Sequence, residues 1–283
     1  MASLDMLFRQ RGIGDLDVEV FLVDDGCTDR TGDAIRSRFP AVHILRGNGE
    51  LYWSGGMQLA FAVAMNIGFD AYIFLNDDTM LYRDALARLV SLARERLEAG
   101  SAAIVVGSTR SPSTGLLNYG GLMRKISGLS VNLEIVQMHA SVPIPCDTMH
   151  GNFVLIPAEV AAVVGNLEER FQHQFADIDY GLRAKCAGFD VVVMPGYAGD
   201  CSDNSYTGTW RDSDLAFGDR WHHLMSPKGV PVGEWALFTR RHFGWRWLPY
   251  AISPYVKTIA SSAFSCDLWR REKPPLAYER RSL

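Results

Sequence analysis

The sequence predicts an α/β fold with a mostly parallel central sheet and helices on both faces. Three observations predict it. Short apolar runs alternate with segments of helical period up to residue 107, Gly and Pro punctuate the changes, and two of the four runs end in adjacent acids. Alternating strands and helices imply right-handed crossovers that bury both faces of a sheet. Ligands of such sheets sit beyond the carboxyl ends of the strands.

Taken in order, Val18–Val23 is a strand that meets a turn at Asp24-Asp25-Gly26. Thr28 or Asp29 caps a helix carrying Ile35 and Phe39 and stopped by Pro40. Val42–Leu45 is the second strand. Gly55-Gly56 opens a helix with Met57, Ala60, Phe61, Ala64 and Ile67 on one face, ended at Gly68. Ala71–Leu75 is the third strand and runs into Asn76-Asp77-Asp78-Thr79. Asp84 caps a helix whose inward positions are Leu86, Leu89, Val90, Ala93 and Leu97, and Ala103–Val106 is the fourth strand. Residues 108–150 lose helical period and read as hairpins or irregular excursions. A strand at Asn152–Ile156, a short helix from Pro157, a helix from Asp177 to Ala187 and a strand at Val191–Met194 follow.

Bulk properties bound the function. The 283 residues are 48% hydrophobic and 21% charged, with net charge −4, which suits a globular protein and excludes a general nucleic-acid binder. The charge is unevenly spread. Gly233 to Leu283 holds nine Lys/Arg against four Asp/Glu, or +5, and four of the seven Trp (Trp235, Trp245, Trp247, Trp269). Such a basic, aromatic stretch is expected to contact an anionic surface, or to be no more than a solvated face. The five cysteines lack a paired spacing, and the first residues lack a leader's basic and apolar blocks, so a reducing cytoplasm is expected. Trp247–Phe264, the longest apolar region, is interrupted by Pro249, Pro254 and Lys257, which suits an interfacial segment better than a membrane span.

Four groups of residues carry candidate chemistry. Asp77 and Asp78 repel each other at a strand end unless a cation joins them, and Mg²⁺ or Mn²⁺ takes one or two carboxylates and completes its shell with phosphate and water. The alternative is a simple turn before Asp84. Asp24 and Asp25 are placed to accept hydrogen bonds from a base or ribose, or to form an Asx-turn. Asp177 and Asp179 either cap a helix or supply a general base for an acceptor hydroxyl. His150-Gly151-Asn152 would let a ligand approach the backbone. His222 and His223 offer a further metal ligand, with a structural role favoured for both histidine sites.

Together these segments resemble family 2 glycosyltransferases of the GT-A fold, rhamnosyltransferase-like, from about Leu4 to Ala198. Val-Asp24-Asp25-Gly-Cys-Thr-Asp29 is similar to the family's V-D-D/N-G-S-T-D, with Cys27 in place of Ser. Leu75-Asn-Asp77-Asp78 resembles the DxD-type motif, and Ala176-Asp177-Ile-Asp179-Tyr-Gly-Leu-Arg183 resembles E-D-x-D-x-x-x-R, with Ala176 in place of Glu. The resemblance implies Asp25 and Asp24 at the nucleotide, Asp77 at the donor and Asp78 on the metal and diphosphate. It implies Asp177 as catalytic base, and Trp53-Ser-Gly55-Gly56 as a glycine-rich turn near the donor sugar. His150, Gly151, Asn152 and Asp179 fall on the acceptor side. The implied enzyme is an inverting, metal-assisted transferase that uses a nucleotide-diphosphate sugar and a glycan or lipid-linked acceptor, and the basic aromatic stretch would suit a lipid-linked glycan at the inner membrane face. Residues 1–232 would form the transferase domain, with a nucleotide half (1–107) and an acceptor half (108–232), and 233–283 a helical extension. A nucleotidyltransferase, or a non-catalytic glycan- or partner-binding protein with a decayed donor site, is the alternative.

One departure carries its own expectation. The family's central first strand has no counterpart before Val18, which predicts two unpaired sheet edges, or a Val18 strand moved beside the Ala71 strand. A start upstream of Met1 is expected.

Overall fold

The computed structural model describes residues 1–128 and 130–263. The chain begins with α1 (Ala2–Leu7), then β1 (Val20–Asp24), α2 (Thr31–Arg38), β2 (Val42–Arg46) and α3 (Tyr52–Ile67). Strand β3 (Ala71–Leu75) turns into β4 (Thr79–Leu81), and α4 (Ala85–Glu98) leads to β5 (Ala103–Arg110). The irregular middle resolves into β6 (Leu117–Tyr119), β7 (Gly121–Ser127), β8 (Ser130–Ile135), β9 (Ile144–Cys146) and β10 (Thr148–Met149). After β11 (Phe153–Pro157) come α5 (Ala158–Val164), α6 (Ala176–Cys186) and β12 (Asp190–Cys201). The last described elements are α7 (Phe217–Met225), α8 (Val232–His242), a 3₁₀ turn (Gly244–Arg246) and α9 (Trp247–Ala263). Residues 264–283 of the predicted extension, with Cys266 and Trp269, lie outside the described residues.

Packing groups the described residues into two units, residues 1–126 with 132–202, and residues 127–131 with those from 203 to 263. In the first, a seven-stranded sheet runs β3-β11-β5-β12-β4, with β6 beside β5 and β9 beside β12. Helices cover both faces, as predicted. Side chains alternate along a strand, so Ile73 and Leu75 meet the α4 core of Leu86, Leu89 and Leu92 while Phe74 turns to Phe61 of α3 and Tyr180 of α6. The strands run differently from the prediction. β12 is parallel to β5, but β11 inserts antiparallel to both β3 and β5, and β4, β6 and β9 also pair antiparallel. The sheet is therefore mixed. The strands that alternate with helices share one direction, and the excursion at 108–150 lets β11 return the opposite way, which apolar periodicity does not encode.

Strands β1 and β2 form a separate parallel pair. Among the described residues β1 pairs only with β2 and β3 only with β11, so each has an unpaired edge, as the sequence predicts. The alternative in which the Val18 strand moves beside Ala71 does not occur. All five residues of β1 stay half-exposed although four are apolar. A second unpredicted feature is α3, which begins at Tyr52, so Gly55 and Gly56 lie within its first turns rather than in a turn before it. They allow a close fit: a Cβ on Gly55 would meet Leu51 at 3.3 Å and one on Gly56 would meet Val23 of β1 at 3.9 Å.

Candidate active site

Several of the predicted residues meet near the end of β3. The Trp53 indole N–H, on the first turn of α3, donates to the Asn76 side-chain oxygen at 2.7 Å. The Asn76 backbone N–H donates to the Asn152 carbonyl at 3.0 Å. Next to it, the Gly151 N–H donates to Asp177 Oδ2 at 2.8 Å, while Asp177 Oδ1 accepts the Ile178 N–H at 2.8 Å. Trp53, the Asn76–Asp78 turn, Gly151-Asn152 and Asp177 thus belong to one hydrogen-bonded network. Gly151 is buried between Trp53 and Asp177. A Cβ there would lie 2.6 Å from the indole and 3.3 Å from the Asp177 Cβ.

Asp77 and Asp78 are exposed in the turn between β3 and β4, and neither joins an ion pair among the described residues. The buried Cys201 thiol, at the end of β12, neighbours Asp78 and accepts from the Asn152 side-chain N–H at 3.5 Å. Burial, helped by the Asp78 charge, pushes that thiol up to about 12, so it stays protonated. No group of three or more His, Cys, Asp or Glu that would hold a metal ion occurs among the described residues. Two adjacent exposed carboxylates suit a cation whose remaining ligands come from phosphate and water.

Asp25 organises the loop between β2 and α3. Its Oδ1 accepts the Gly49 N–H at 2.7 Å, and its Oδ2 accepts the N–H groups of Leu51 at 2.8 Å and Tyr52 at 3.2 Å. Two carboxylate oxygens offer about four acceptor sites, and these three bonds use three of them. Asp24 instead holds its own turn, its Oδ1 accepting the N–H of Cys27 three residues on at 3.0 Å. The His150 Nδ1 accepts the Gly120 N–H at 3.3 Å, which puts the neutral ring's proton on Nε2. Burial lowers the His150 pKa against the opposing pull of Asp177 and keeps the ring uncharged at neutral pH. Asp179 is fully buried and bonds Arg183 Nε at 2.7 Å, while the guanidinium also donates to the Val164 and Asn166 carbonyls. His222 and His223 lie on α7 in the second unit.

Sequence reading had not singled out Cys201 or His173. The Trp53 backbone N–H donates to His173 Nδ1 at 3.4 Å, and the Tyr52 ring packs edge-on to the same imidazole. No spacing marks either residue, because each reaches the site only through strand pairing or a loop crossing.

The family model for glycosyl transferase family 2 matches residues 2–154, more than half of the chain. The chain belongs to glycosyl transferase family 2. The match spans the β1 end, the α3 start and the Asn76–Asp78 turn, and ends inside β11, so Asp177 lies beyond it. No curated protein matches the chain. Among solved structures, the mannosyltransferase PcManGT from Pyrobaculum calidifontis, in complex with GDP-Man and Mn²⁺, is similar with a TM-score of 0.52 and 15% identity. That likeness covers 94% of this chain and 71% of that chain and carries the fold, the GT-A arrangement of sheet and helices. The protein is a glycosyltransferase by family and fold.

Proposed function

We propose that this glycosyltransferase moves a sugar from a nucleotide-diphosphate donor to a glycan or lipid-linked acceptor by one in-line displacement with inversion. Residues 1–107 would serve the donor and 108–232 the acceptor. One observation carries the reading: adjacent residues Gly151 and Asn152 bond in opposite directions, Asn152 accepting from Asn76 and Gly151 donating to Asp177, which ties the acidic turn to the proposed base. Two backbone N–H groups orient the Asp177 carboxylate and leave lone pairs on both oxygens for an acceptor hydroxyl. Asp177 takes the hydroxyl proton as the acceptor oxygen attacks the anomeric carbon. Asp25 and Asp24 lie at the nucleotide end, with Trp53 flanking the sugar.

Asp78, with Asp77, would hold Mg²⁺ or Mn²⁺, which when bound neutralises charge on the departing diphosphate. The solved mannosyltransferase with GDP-Man and Mn²⁺ supports testing guanosine nucleotides first. His150 and Asn152 line the acceptor side in this reading, whereas Asp179 is occupied by Arg183 and serves the fold.

Asp177→Asn tests the base: transfer should vanish while the metal-dependent thermal shift with a nucleoside diphosphate persists, and retained transfer would sink the role. Release of pyrophosphate instead of a nucleoside diphosphate would point to a nucleotidyltransferase. A second reading, a non-catalytic glycan- or partner-binding protein, is favoured by the separate β1–β2 pair with its open edge. A panel of UDP, dTDP, GDP and CDP, each with Mn²⁺ and with EDTA, separates the two. Ligand at a hundredfold its Kd stabilises by about 2.7 kcal/mol, and no response to any nucleotide would favour the decayed site.

A further inference from the structure

α9 presents two unlike sides. One packs within the second unit: Tyr250 meets the Phe243 ring at 4.8 Å and its carbonyl accepts the Trp235 indole N–H at 2.8 Å. Further along the same side, the Tyr255 hydroxyl donates to the Val230 carbonyl at 2.8 Å, and Thr258 is buried. The other side carries Leu248, Ile252, Val256 and Ile259, which are 51%, 48%, 54% and 50% exposed. Their spacing of four, four and three residues keeps them on one face of a helix. Pro249 and Ala260, the remaining exposed residues of that face, are also without charge. Trp245, at the helix entrance, is 70% exposed, with the Arg246 guanidinium 4.6 Å above its ring.

The charged residues of α8, the 3₁₀ turn and α9 are basic apart from one. Between residues 233 and 263 the basic side chains are Arg240, Arg241, Arg246 and Lys257, and the single acid, Glu234, is buried. An isologous pairing of two copies through this face would set like charge against like charge, which opposes association. An anionic bilayer surface instead matches both the charge and the apolar face. A helix with aliphatic and Trp residues on one side and Lys/Arg beside them lies in the lipid interface. No helix among the described residues is long and apolar enough to cross a membrane, so the contact is with one leaflet.

We propose that the Leu248-Ile252-Val256-Ile259 face of α9, with Trp245, Arg246 and Lys257, docks this protein on an anionic lipid surface. The inference deepens the lipid-linked-acceptor part of the proposed function and rests on it, but the surface is tested without donor or acceptor.

The full chain is mixed with phosphatidylglycerol vesicles and with phosphatidylcholine vesicles and sedimented, alongside Ile252→Glu/Val256→Glu. The expected result is binding to the anionic vesicles that weakens with salt and falls at least about tenfold in the double variant. Because both residues are exposed, the variant's thermal midpoint and its nucleotide response should match the parent's. Absent binding, or equal binding by the variant, overturns the proposal. So does a concentration-dependent dimer that the variant dissolves, which would make the face a contact between copies. A lowered midpoint without vesicles also overturns it, since another part of the chain would then cover the face. Failure of the nucleotide panel with intact vesicle binding would instead count against the transferase reading alone.

Discussion

Gly151→Ala tests whether the close approach of Trp53 and Asp177 to Gly151 sets the geometry of the site. The backbone tolerates alanine, since Gly151 is not among the residues with positive φ. The added Cβ, however, would stand 2.6 Å from two atoms of the Trp53 indole. Ordinary carbon contacts are about 3.5–4 Å, so the ring must retreat by roughly 1 Å. Its Nε1 is tied to Asn76 Oδ1 at 2.7 Å, and a retreat of that size stretches the bond past its working range. The stability cost is about 1–3 kcal/mol for overpacking. The rate cost is larger, because a displacement near 1 Å at an oriented site costs on the order of 100-fold. The assay is release of nucleoside diphosphate from the donor identified by the thermal-shift panel, read as kcat and KM beside a melting curve. A double-mutant cycle with Trp53→Phe locates the cause, since the shorter ring clears the new methyl and Gly151→Ala should then add little. A kcat within about threefold of the parent, in a variant that still folds, would refute the idea that this contact positions the reaction.

Two further outcomes follow from the same geometry. Asp78→Asn should abolish the difference between the Mn²⁺ and EDTA arms of the nucleotide shift, and an unchanged difference would move the cation elsewhere. Asp179→Ala strands Arg183, which keeps two carbonyl partners and is 23% exposed, so the loss should sit near the low end for a broken buried pair, about 3 kcal/mol by denaturant unfolding. A loss below about 0.5 kcal/mol would mean the pair contributes little to the fold.

The parts of the structure legible in the sequence were those written in local periodicity and in turn chemistry. The strands at Val20–Asp24, Val42–Arg46 and Ala71–Leu75 and the helices α4 and α6 lie where apolar spacing put them. Asp84, the expected cap, makes no capping bond and pairs with Arg88 at 3.0 Å instead, because an i,i+4 cation competed for it. Arg183 has Asp179 as its partner, four residues and one helical turn before it. The direction of β11 and the seven-stranded order were not legible, since they depend on how the 108–150 excursion returns to the sheet. The site followed the same division. Its acids were visible as strand-end pairs, whereas Asn76 to Trp53 and Gly151 to Asp177 join residues 23 and 26 positions apart.

Backbone strain gives the clearest sign of what this scaffold is built to hold. Among the described residues, three non-glycines have positive φ: Arg30, Tyr52 and Phe175. Each immediately precedes or opens a helix, at the starts of α2, α3 and α6. A left-handed residue with a bulky side chain costs about 1–3 kcal/mol and persists only where its surroundings over-determine it. For Tyr52 those surroundings are the Asp25 carboxylate, which accepts its N–H, and the His173 ring packed against it. Phe175 is held from the other side, its carbonyl accepting the Asp179 N–H at 2.7 Å while the Asp179 carboxylate grips Arg183. The next residue after Tyr52 is Trp53, and the second after Phe175 is Asp177, the two groups that close on Gly151. Both strained turns therefore aim a side chain at the same glycine. Asp25 and Asp179 contact these turns rather than the point of convergence.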